Sequence, residues 1–250
     1  MESAIRPLAT PKAASAEQVT RAIGLAAAVM LAVGLVMVFL IAPPGDARSG
    51  GEAQRIFYFH ISSGWIGLGA WLVTAYCSVR YLQTRDAQWD RRGHASAEIG
   101  VLFIVLVLLT GMLWARPAWN AWWTWDFKLT LSALQFLMYV AYLMLRGGIE
   151  NPDQRARFAS VYGIVGALTV PLNFLVSRVL QSIHPAVIGP SVNATQQGGF
   201  GISIDRVVIL LFCLAAFTLF YVYLLRARVV TLEREDALAA RKAALIEAGG

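Results

Sequence analysis

Charged residues are scarce in this sequence: Asp, Glu, Lys and Arg make up 14% of its 250 residues, whereas hydrophobic residues make up 58%. A soluble domain usually carries about 25% charged residues. Apolar side chains therefore exceed what a soluble core needs, and many of them must face lipid. We attribute the net charge of +6 to basic residues in cytoplasmic loops, not to binding of nucleic acid.

Cysteine and histidine are also rare, with two and three copies. Cys77 and Cys213 lie inside apolar runs and outside any CxxC or CxxCH pattern. The sequence therefore contains neither a disulfide framework nor a c-type haem attachment motif. A zinc site is disfavoured as well, because zinc takes three or four Cys, His or carboxylate ligands in proteins.

Long apolar runs are abundant. Six of them reach or approach the length of about 20 residues at which a helix crosses a bilayer: Ala22–Ala42, Phe57–Leu82, Ala97–Leu113, Leu129–Leu145, Phe158–Val179 and Ile204–Leu225. We interpret the first as a retained span because it is too long for the apolar part of a signal peptide. The sequence predicts an all-α polytopic membrane protein with one six-span domain over residues 1–250, spans and loops in 22–226, and a cytoplasmic tail at 227–250.

The basic residues predict an orientation. Most of the 21 Lys and Arg residues fall in the two tails and in the second and fourth loops. Because Lys and Arg are concentrated on the cytoplasmic side, we expect both termini in the cytoplasm and the other three loops outside. Those three outer loops carry six cations: Arg48, Arg55, Arg116, Lys128, Arg178 and Arg206.

Two features inside the spans carry further expectations. Pro171 lies within the fifth span, where a proline removes a backbone hydrogen bond and tends to kink the helix. Glu98 lies near the inner end of the third span, where we expect it to pair with Arg91 or Arg92.

Two of the three histidines fall on the predicted outer side. His60 lies where the first loop enters the second span, and His184 follows the fifth span, whereas His94 falls on the cytoplasmic side. A single histidine near a membrane interface is ordinarily a hydrogen-bonded interface residue. Two of them on one side also match the axial ligands that haem iron takes most often.

The third loop, residues 114–128, concentrates tryptophan. Five of the eight tryptophans lie there, at Trp114, Trp119, Trp122, Trp123 and Trp125, and Asp126 follows them. One or two tryptophans at a span end serve as headgroup anchors, but five exceed that need. If the segment is helical, residues 119, 122, 123 and 126 share one face. Such a face is an aromatic shelf with one carboxylate, suited to a large planar apolar ligand.

These outer features together favour haem. The two imidazoles match the needs of the iron, and the indoles match the apolar macrocycle. The two propionates favour cations, among which arginine pairs in a bidentate manner. Arg55, Lys128 and Arg178 are the candidate propionate partners.

At these residues the sequence resembles the haem exporter protein C (CcmC) family of cytochrome c maturation, in which a Trp-rich loop ending in Asp lies between two outward-facing histidines. The resemblance extends over nearly the whole chain. It implies that His60 and His184 are the axial ligands of a non-covalently bound, b-type haem. It also implies a haem-contacting platform made by Trp119, Trp122, Trp123, Trp125 and Asp126.

The same resemblance implies partners and a location. The protein would present haem at the periplasmic face of the bacterial inner membrane to a membrane-tethered haem chaperone (CcmE). An ABC transporter pair (CcmA and CcmB) and a small single-span protein (CcmD) would complete the complex. The protein would have no covalent chemistry of its own and would not be an enzyme.

Three alternatives stay open at this point. A b-type electron-transfer cytochrome usually holds haem between helices inside the bilayer, and its reduction would be linked to quinone. A cytochrome c haem lyase or synthase uses a similar Trp-rich loop, but in a longer chain. A solute transporter is expected to have broken helices and charges at mid-membrane depth, for which Gln135 and Asn173 are weak indications.

Overall fold

The structure, a computed structural model, describes residues 11–45, 50–180, 182, 184 and 203–249. Its regular elements there are helices: α1 Pro11–Val36, α2 Ile56–Thr84, α3 Ala87–Trp119, α4 Phe127–Gly147, α5 Pro152–Ala167, α6 Thr169–Val179 and α7 Ile204–Gly249. A π-helical turn, Met37–Ile41, continues α1, and a 3-10 helix, Gly51–Arg55, leads into α2. The predicted all-α fold is confirmed.

Six helical segments are long and apolar enough to cross a membrane: Ser15–Ile41, Gly51–Thr84, Ala87–Trp119, Phe127–Gly147, Pro152–Val176 and Ile204–Ala248. Each overlaps one of the six predicted runs, so the predicted number of spans is confirmed. Large apolar side chains such as Leu25, Leu72 and Leu211 are more than half exposed, which suits contact with lipid. The protein is a multi-pass membrane protein.

Helices α2 and α3 form a tight antiparallel hairpin. Arg85 ends α2 in the left-handed conformation, with a φ of 57°. Asp86 then caps α3, because its carboxylate accepts a hydrogen bond from the Gln88 N–H at 2.9 Å. At the open end of the hairpin, the start of α2 lies beside the end of α3, so His60 and Thr110 become neighbours.

An aromatic stack fills the core of the bundle. Trp71 of α2 stacks on Tyr139 of α4 with ring centroids 4.1 Å apart. The Tyr139 hydroxyl donates to the Gly67 carbonyl at 2.7 Å. A Cβ at Gly100 of α3 would lie 2.4 Å from that hydroxyl oxygen, so only glycine fits there. Small residues let membrane helices approach closely in this way.

The fifth span is broken. Helix α5 ends at Ala167, Leu168 forms a turn, and α6 begins at Thr169. Pro171 lies in the first turn of α6, where backbone N–H groups have no partner within the helix and a proline is accommodated. The interruption lies three residues before Pro171, and the kink predicted from that proline stays a prediction. Beyond the break, α6 leads towards His184.

We call the end of the bundle that carries His94 the polar end. Arg146 of α4 makes a bidentate ion pair with Asp90 of α3, with nitrogen–oxygen distances of 2.6 and 2.8 Å. Arg146 is buried, so its charge depends on this pairing. The contact fixes the polar ends of α3 and α4 to each other, at the opposite end of the bundle from His60.

The expected pairing of Glu98 with Arg91 or Arg92 is wrong. Glu98 accepts from Arg228 of α7 at 2.6 and 2.9 Å, and Arg91 pairs with Asp236 at 3.1 Å. Helix α7 continues without interruption from the last span to Gly249, which brings its polar residues beside α3. Proximity in sequence suggested nearer partners, whereas the straight extension of α7 supplies the observed ones.

Candidate functional site

The structure brings the two predicted outer histidines together. His60 lies in the second turn of α2, and His184 follows the end of α6. Their ring centroids are 6.0 Å apart, with 41° between the ring planes. Metal–nitrogen bonds to histidine are about 2 Å long, so two imidazoles on opposite sides of one ion have centroids roughly 6 Å apart. The spacing therefore fits a single metal centre between the rings.

His60 is packed on several sides. Its side chain is buried, with 7% of the residue exposed. Its Nδ1 lies 3.1 Å from the Thr110 hydroxyl oxygen, and its ring meets Trp114 edge-on with centroids 6.1 Å apart. A Cβ at Gly111 would lie 3.0 Å from the His60 Cε1. The last turns of α3 therefore form a close wall around the imidazole.

His184 has a more open setting. It lies five residues beyond the end of α6 and is half-buried. Its backbone N–H donates to the Ser182 hydroxyl at 3.0 Å, and Ser182 itself is buried. Residues 185–202, which make up most of the predicted fifth loop, lie outside the described residues. His184 is thus held by the end of a broken span and not by a long helix.

The tryptophan loop, which we define as Asn120–Asp126, is not helical. Asn120 adopts the left-handed conformation with a φ of 55°, and its N–H donates to the Arg116 carbonyl at 3.0 Å, which ends α3. Helix α4 begins only after Asp126. The expected helical face through residues 119, 122, 123 and 126 is therefore wrong, because a left-handed residue and a helix cap interrupt the segment.

The five tryptophans divide into two groups. Trp114 and Trp119 belong to α3, with ring centroids 6.0 Å apart, and Trp114 is 3% exposed beside His60. The other three belong to the loop. Trp122 and Trp125 are 53% and 78% exposed, and Trp123 meets Trp125 edge-on at 5.6 Å. Trp114 therefore packs against His60, whereas Trp122 and Trp125 present indole surface outwards.

Trp123 carries an unsatisfied donor. Its indole Nε1 is buried, and within the described residues it has no hydrogen-bond acceptor. Buried polar groups in native proteins are nearly always hydrogen-bonded, so an exception calls for an explanation. A ligand with an acceptor oxygen at the loop would supply the missing partner.

The Asp126 side chain caps the helix that follows it. Its carboxylate accepts from the Leu129 N–H at 2.9 Å and from the Thr124 hydroxyl at 3.3 Å. It is the N-cap of α4, a role that satisfies a helix donor with no intrahelical partner. The carboxylate thereby fixes the end of the tryptophan loop to α4, and its predicted contact with haem stays a prediction.

The three candidate propionate partners already have protein acceptors. Arg55 donates to Glu52 at 2.6 Å and to the Ala42 carbonyl at 3.0 Å, at the end of the first span. The Lys128 ammonium donates to the Asn173 carbonyl at 2.8 Å. Arg178 donates to the carbonyl four residues before it at 2.6 Å. Their assignment to propionates stays a prediction.

The other predicted outer cations lie around the same end. Arg116 donates to the Asn120 carbonyl at 3.0 Å, next to the tryptophan loop. Arg206 donates to the Pro44 carbonyl at 2.9 Å. Arg48 lies outside the described residues. Arg116 and Arg206 thus support backbone turns near the site.

Two groups of residues at the site escape prediction from the sequence. Thr110 and Gly111, which border His60, lie in an apolar run, and only the pairing of α2 with α3 places them at the site. Asn173 receives Lys128 and donates to Ser132 at 3.3 Å. A signal was present there, since an asparagine inside an apolar span is unusual and calls for a partner.

The sequence of this chain is similar to those of known proteins. A sequence model of the family described as CcmC, heme exporter protein C, matches residues 4–242. Heme exporter protein C of Bradyrhizobium diazoefficiens is 32% identical over 200 residues, covering 80% of this chain and 73% of that protein. The protein of that name from Haemophilus influenzae is 29% identical, covering 84% of this chain and 82% of that protein. The one from Escherichia coli is 27% identical, covering 67% of this chain and 72% of that protein. The chain belongs to the heme exporter protein C family.

Proposed function

We propose that this protein holds a b-type haem without a covalent bond at the periplasmic face of the bacterial inner membrane and hands it to a haem chaperone. Its family already makes it a component of haem transfer for cytochrome c maturation. The observation that carries the proposal is the pair formed by His60 and His184, with ring centroids 6.0 Å apart.

The chemistry of the surrounding residues fits haem. Within the described part of the chain, no group of three or more His, Cys, Asp or Glu is placed to hold a metal ion by itself. Two imidazoles supply two axial ligands, and a porphyrin supplies the other four. Trp114 forms an apolar wall beside His60, and the unpartnered N–H of Trp123 offers a donor to a carboxylate-bearing ligand.

The exposed part of the loop suits handover to another protein. Trp122 and Trp125 present more than half of their surface, and exposed aromatic side chains are enriched where proteins bind one another. We assign this surface to contact with the haem chaperone (CcmE). The ABC transporter pair (CcmA and CcmB) and the small single-span protein (CcmD) complete the proposed complex. The protein itself makes and breaks no covalent bond in this scheme and is not an enzyme.

The distribution of charge supports the orientation. The polar end carries Arg91, Arg92, Arg146 and Arg228, and Lys and Arg favour the cytoplasmic side. The end with His60 and the tryptophan loop would then face the periplasm. Cysteine labelling tests this: Trp125→Cys should react with a membrane-impermeant maleimide in spheroplasts, and Arg241→Cys only after permeabilisation. The reverse pattern would contradict the orientation.

The proposed function is tested by the haem content of purified protein. The wild-type protein should show a Soret band, and the double variant His60→Ala/His184→Ala should lose it. His94→Ala is the matched control, because His94 lies at the polar end, and it should retain haem fully. An unchanged Soret band in the double variant would contradict the proposal.

A further inference from the structure

Thr110 contacts His60 in a way that determines which imidazole nitrogen carries the proton. Its hydroxyl oxygen lies 3.1 Å from the His60 Nδ1. The same oxygen lies 2.6 Å from the Leu106 carbonyl and 3.3 Å from the Val107 carbonyl. A threonine hydroxyl has one proton to donate and two lone pairs with which to accept. Because two oxygens 2.6 Å apart need a proton between them, we assign the hydroxyl proton to the contact with the Leu106 carbonyl.

The direction of the contact with His60 follows from this assignment. Since the Thr110 hydroxyl donates to Leu106, it can only accept from the ring. The Nδ1 of His60 therefore carries the hydrogen, and its Nε2 carries the lone pair. A hydrogen bond made by one ring nitrogen sets the tautomer and leaves the other nitrogen as the metal ligand.

Packing keeps the ring in this orientation. A Cβ at Gly111 would approach the His60 Cε1 to 3.0 Å and its Nδ1 to 3.5 Å, so α3 lies close against the edge of the ring that carries the Nδ1–H. Trp114 meets the ring edge-on, with centroids 6.1 Å apart. Three positions in little more than one turn of α3 thus hold one imidazole.

We propose that Thr110 is a positioning residue that fixes His60 in the Nδ1–H tautomer and so prepares its Nε2 to bind haem iron. Gly111 provides the space in which the ring takes this position. The part of the inference that concerns iron rests on the proposed function. The tautomer itself is a property of the haem-free protein and is measured without haem.

The first experiment observes the tautomer. The protein labelled with nitrogen-15 in histidine contains three imidazoles, and His94→Ala and His184→Ala assign the His60 signals. At alkaline pH, haem-free wild type in nanodiscs should show His60 protonated at Nδ1. Thr110→Val removes the hydroxyl acceptor at nearly constant shape and leaves the Val107 carbonyl, which also interacts with the ring. It should therefore shift part of the His60 population towards the Nε2–H form. Thr110→Ser keeps the acceptor and should retain the wild-type pattern.

A matched control separates the contact from a general effect on a helix. The Thr218 hydroxyl donates to the carbonyl four residues before it at 2.7 Å in α7, as Thr110 does in α3. Thr218→Val should therefore leave the His60 signals unchanged. An unchanged tautomer in Thr110→Val, or an equal change in Thr218→Val, would overturn the assignment.

The second experiment follows haem binding. Loss of a group that orients a metal-binding histidine typically lowers affinity by about 10–100-fold. Thr110→Val should weaken haem binding within that range and raise the reduction potential, because a hydrogen bond from Nδ1–H makes the ligand more basic. Thr110→Ser should restore both. Wild-type affinity and potential in Thr110→Val, despite a changed tautomer, would overturn the positioning role.

The two proposals fail in different ways. If His60→Ala/His184→Ala retains haem, the proposed function is wrong, whereas the tautomer measured in haem-free protein still tests the contact between Thr110 and His60. If the double variant loses haem but Thr110→Val behaves as wild type in both experiments, the proposed function stands and the role of Thr110 is wrong.

Discussion

His60 and His184 face each other but are held very differently. His60 lies within a 29-residue helix, is buried, and meets Thr110 and Trp114 of the neighbouring helix. His184 lies beyond the last turn of the 11-residue α6 and is half-buried. One histidine belongs to the hairpin of α2 and α3, and the other lies beyond the end of the fifth span. In the proposed function, this difference suits the His60 side to retention of haem and the His184 side to its exchange.

This contrast predicts that removal of the two imidazoles lowers haem affinity by different amounts. His60→Ala should lower haem affinity by more than about 100-fold, beyond the usual cost of losing a group that merely orients a ligand. His184→Ala should have a smaller effect, because Trp114 and the buried imidazole still hold one face. Haem titration followed by absorbance measures both. Equal affinities for the two variants would remove the proposed asymmetry.

The tryptophan loop should contribute less than the histidines. Trp122→Ala/Trp123→Ala should lower haem retention by roughly 10-fold, since aromatic contacts contribute about 0.5–1.5 kcal/mol each beyond their buried area. Trp65→Ala is the matched control, because Trp65 is 56% exposed on α2 and belongs to a span. Haem retained per protein after gel filtration is the measurement. Equal retention in both variants would indicate that the loop only anchors the protein in the headgroups.

The His184 side should depend on the contact between α4 and α6. Asn173 accepts from Lys128 and donates to Ser132. Asn173→Leu removes the Oδ1 that accepts from Lys128 and the amide N–H that donates to Ser132, whereas the backbone carbonyl still accepts from Lys128. The change should cost about 1–3 kcal/mol of stability, measured by denaturation in detergent. Asn173→Asp keeps the acceptor for Lys128 and should lose less. Loss of His184 ligation in Asn173→Leu, without a change in the His60 tautomer, would show that the two histidines are held independently.

The polar end should matter least. Glu98 and Arg228 form a partly exposed pair, and pairs of this kind contribute about 0–1 kcal/mol. Arg228→Ala should therefore change stability slightly and leave haem affinity unchanged. Haem titration beside a melting curve tests both points. A large loss of haem in this variant would mean that the two ends of the bundle are coupled and that the contrast between the histidines is not local to the outer end.

The sequence predicts the parts of this molecule that depend on local pattern. Long apolar runs specify the six spans because a bilayer needs about 20 helical residues. The two histidines meet because the second span begins, and the fifth span ends, at the same side. The shape of the tryptophan loop does not follow from its spacing, since the left-handed Asn120 and the cap at Asp126 interrupt the helix that the spacing suggested.

Contacts between distant helices are the parts that sequence alone does not reveal. In the sequence, nothing distinguishes Thr110 from its neighbours in an apolar run. The pairing of α3 with α2 places it beside His60, which lies 50 positions away. Glu98 forms an ion pair with Arg228, 130 positions away, because α7 extends past the last span. In both cases the register between two helices, and not the local pattern, determines the partner.

We propose that His60 and His184 would hold one haem iron between them. Electron paramagnetic resonance of the ferric haem complex tests it most directly, because it distinguishes iron with two strong axial nitrogens from iron with one. Wild type should give a low-spin spectrum, and both His60→Ala and His184→Ala should give high-spin spectra. A wild-type low-spin spectrum in either single variant would contradict the claim.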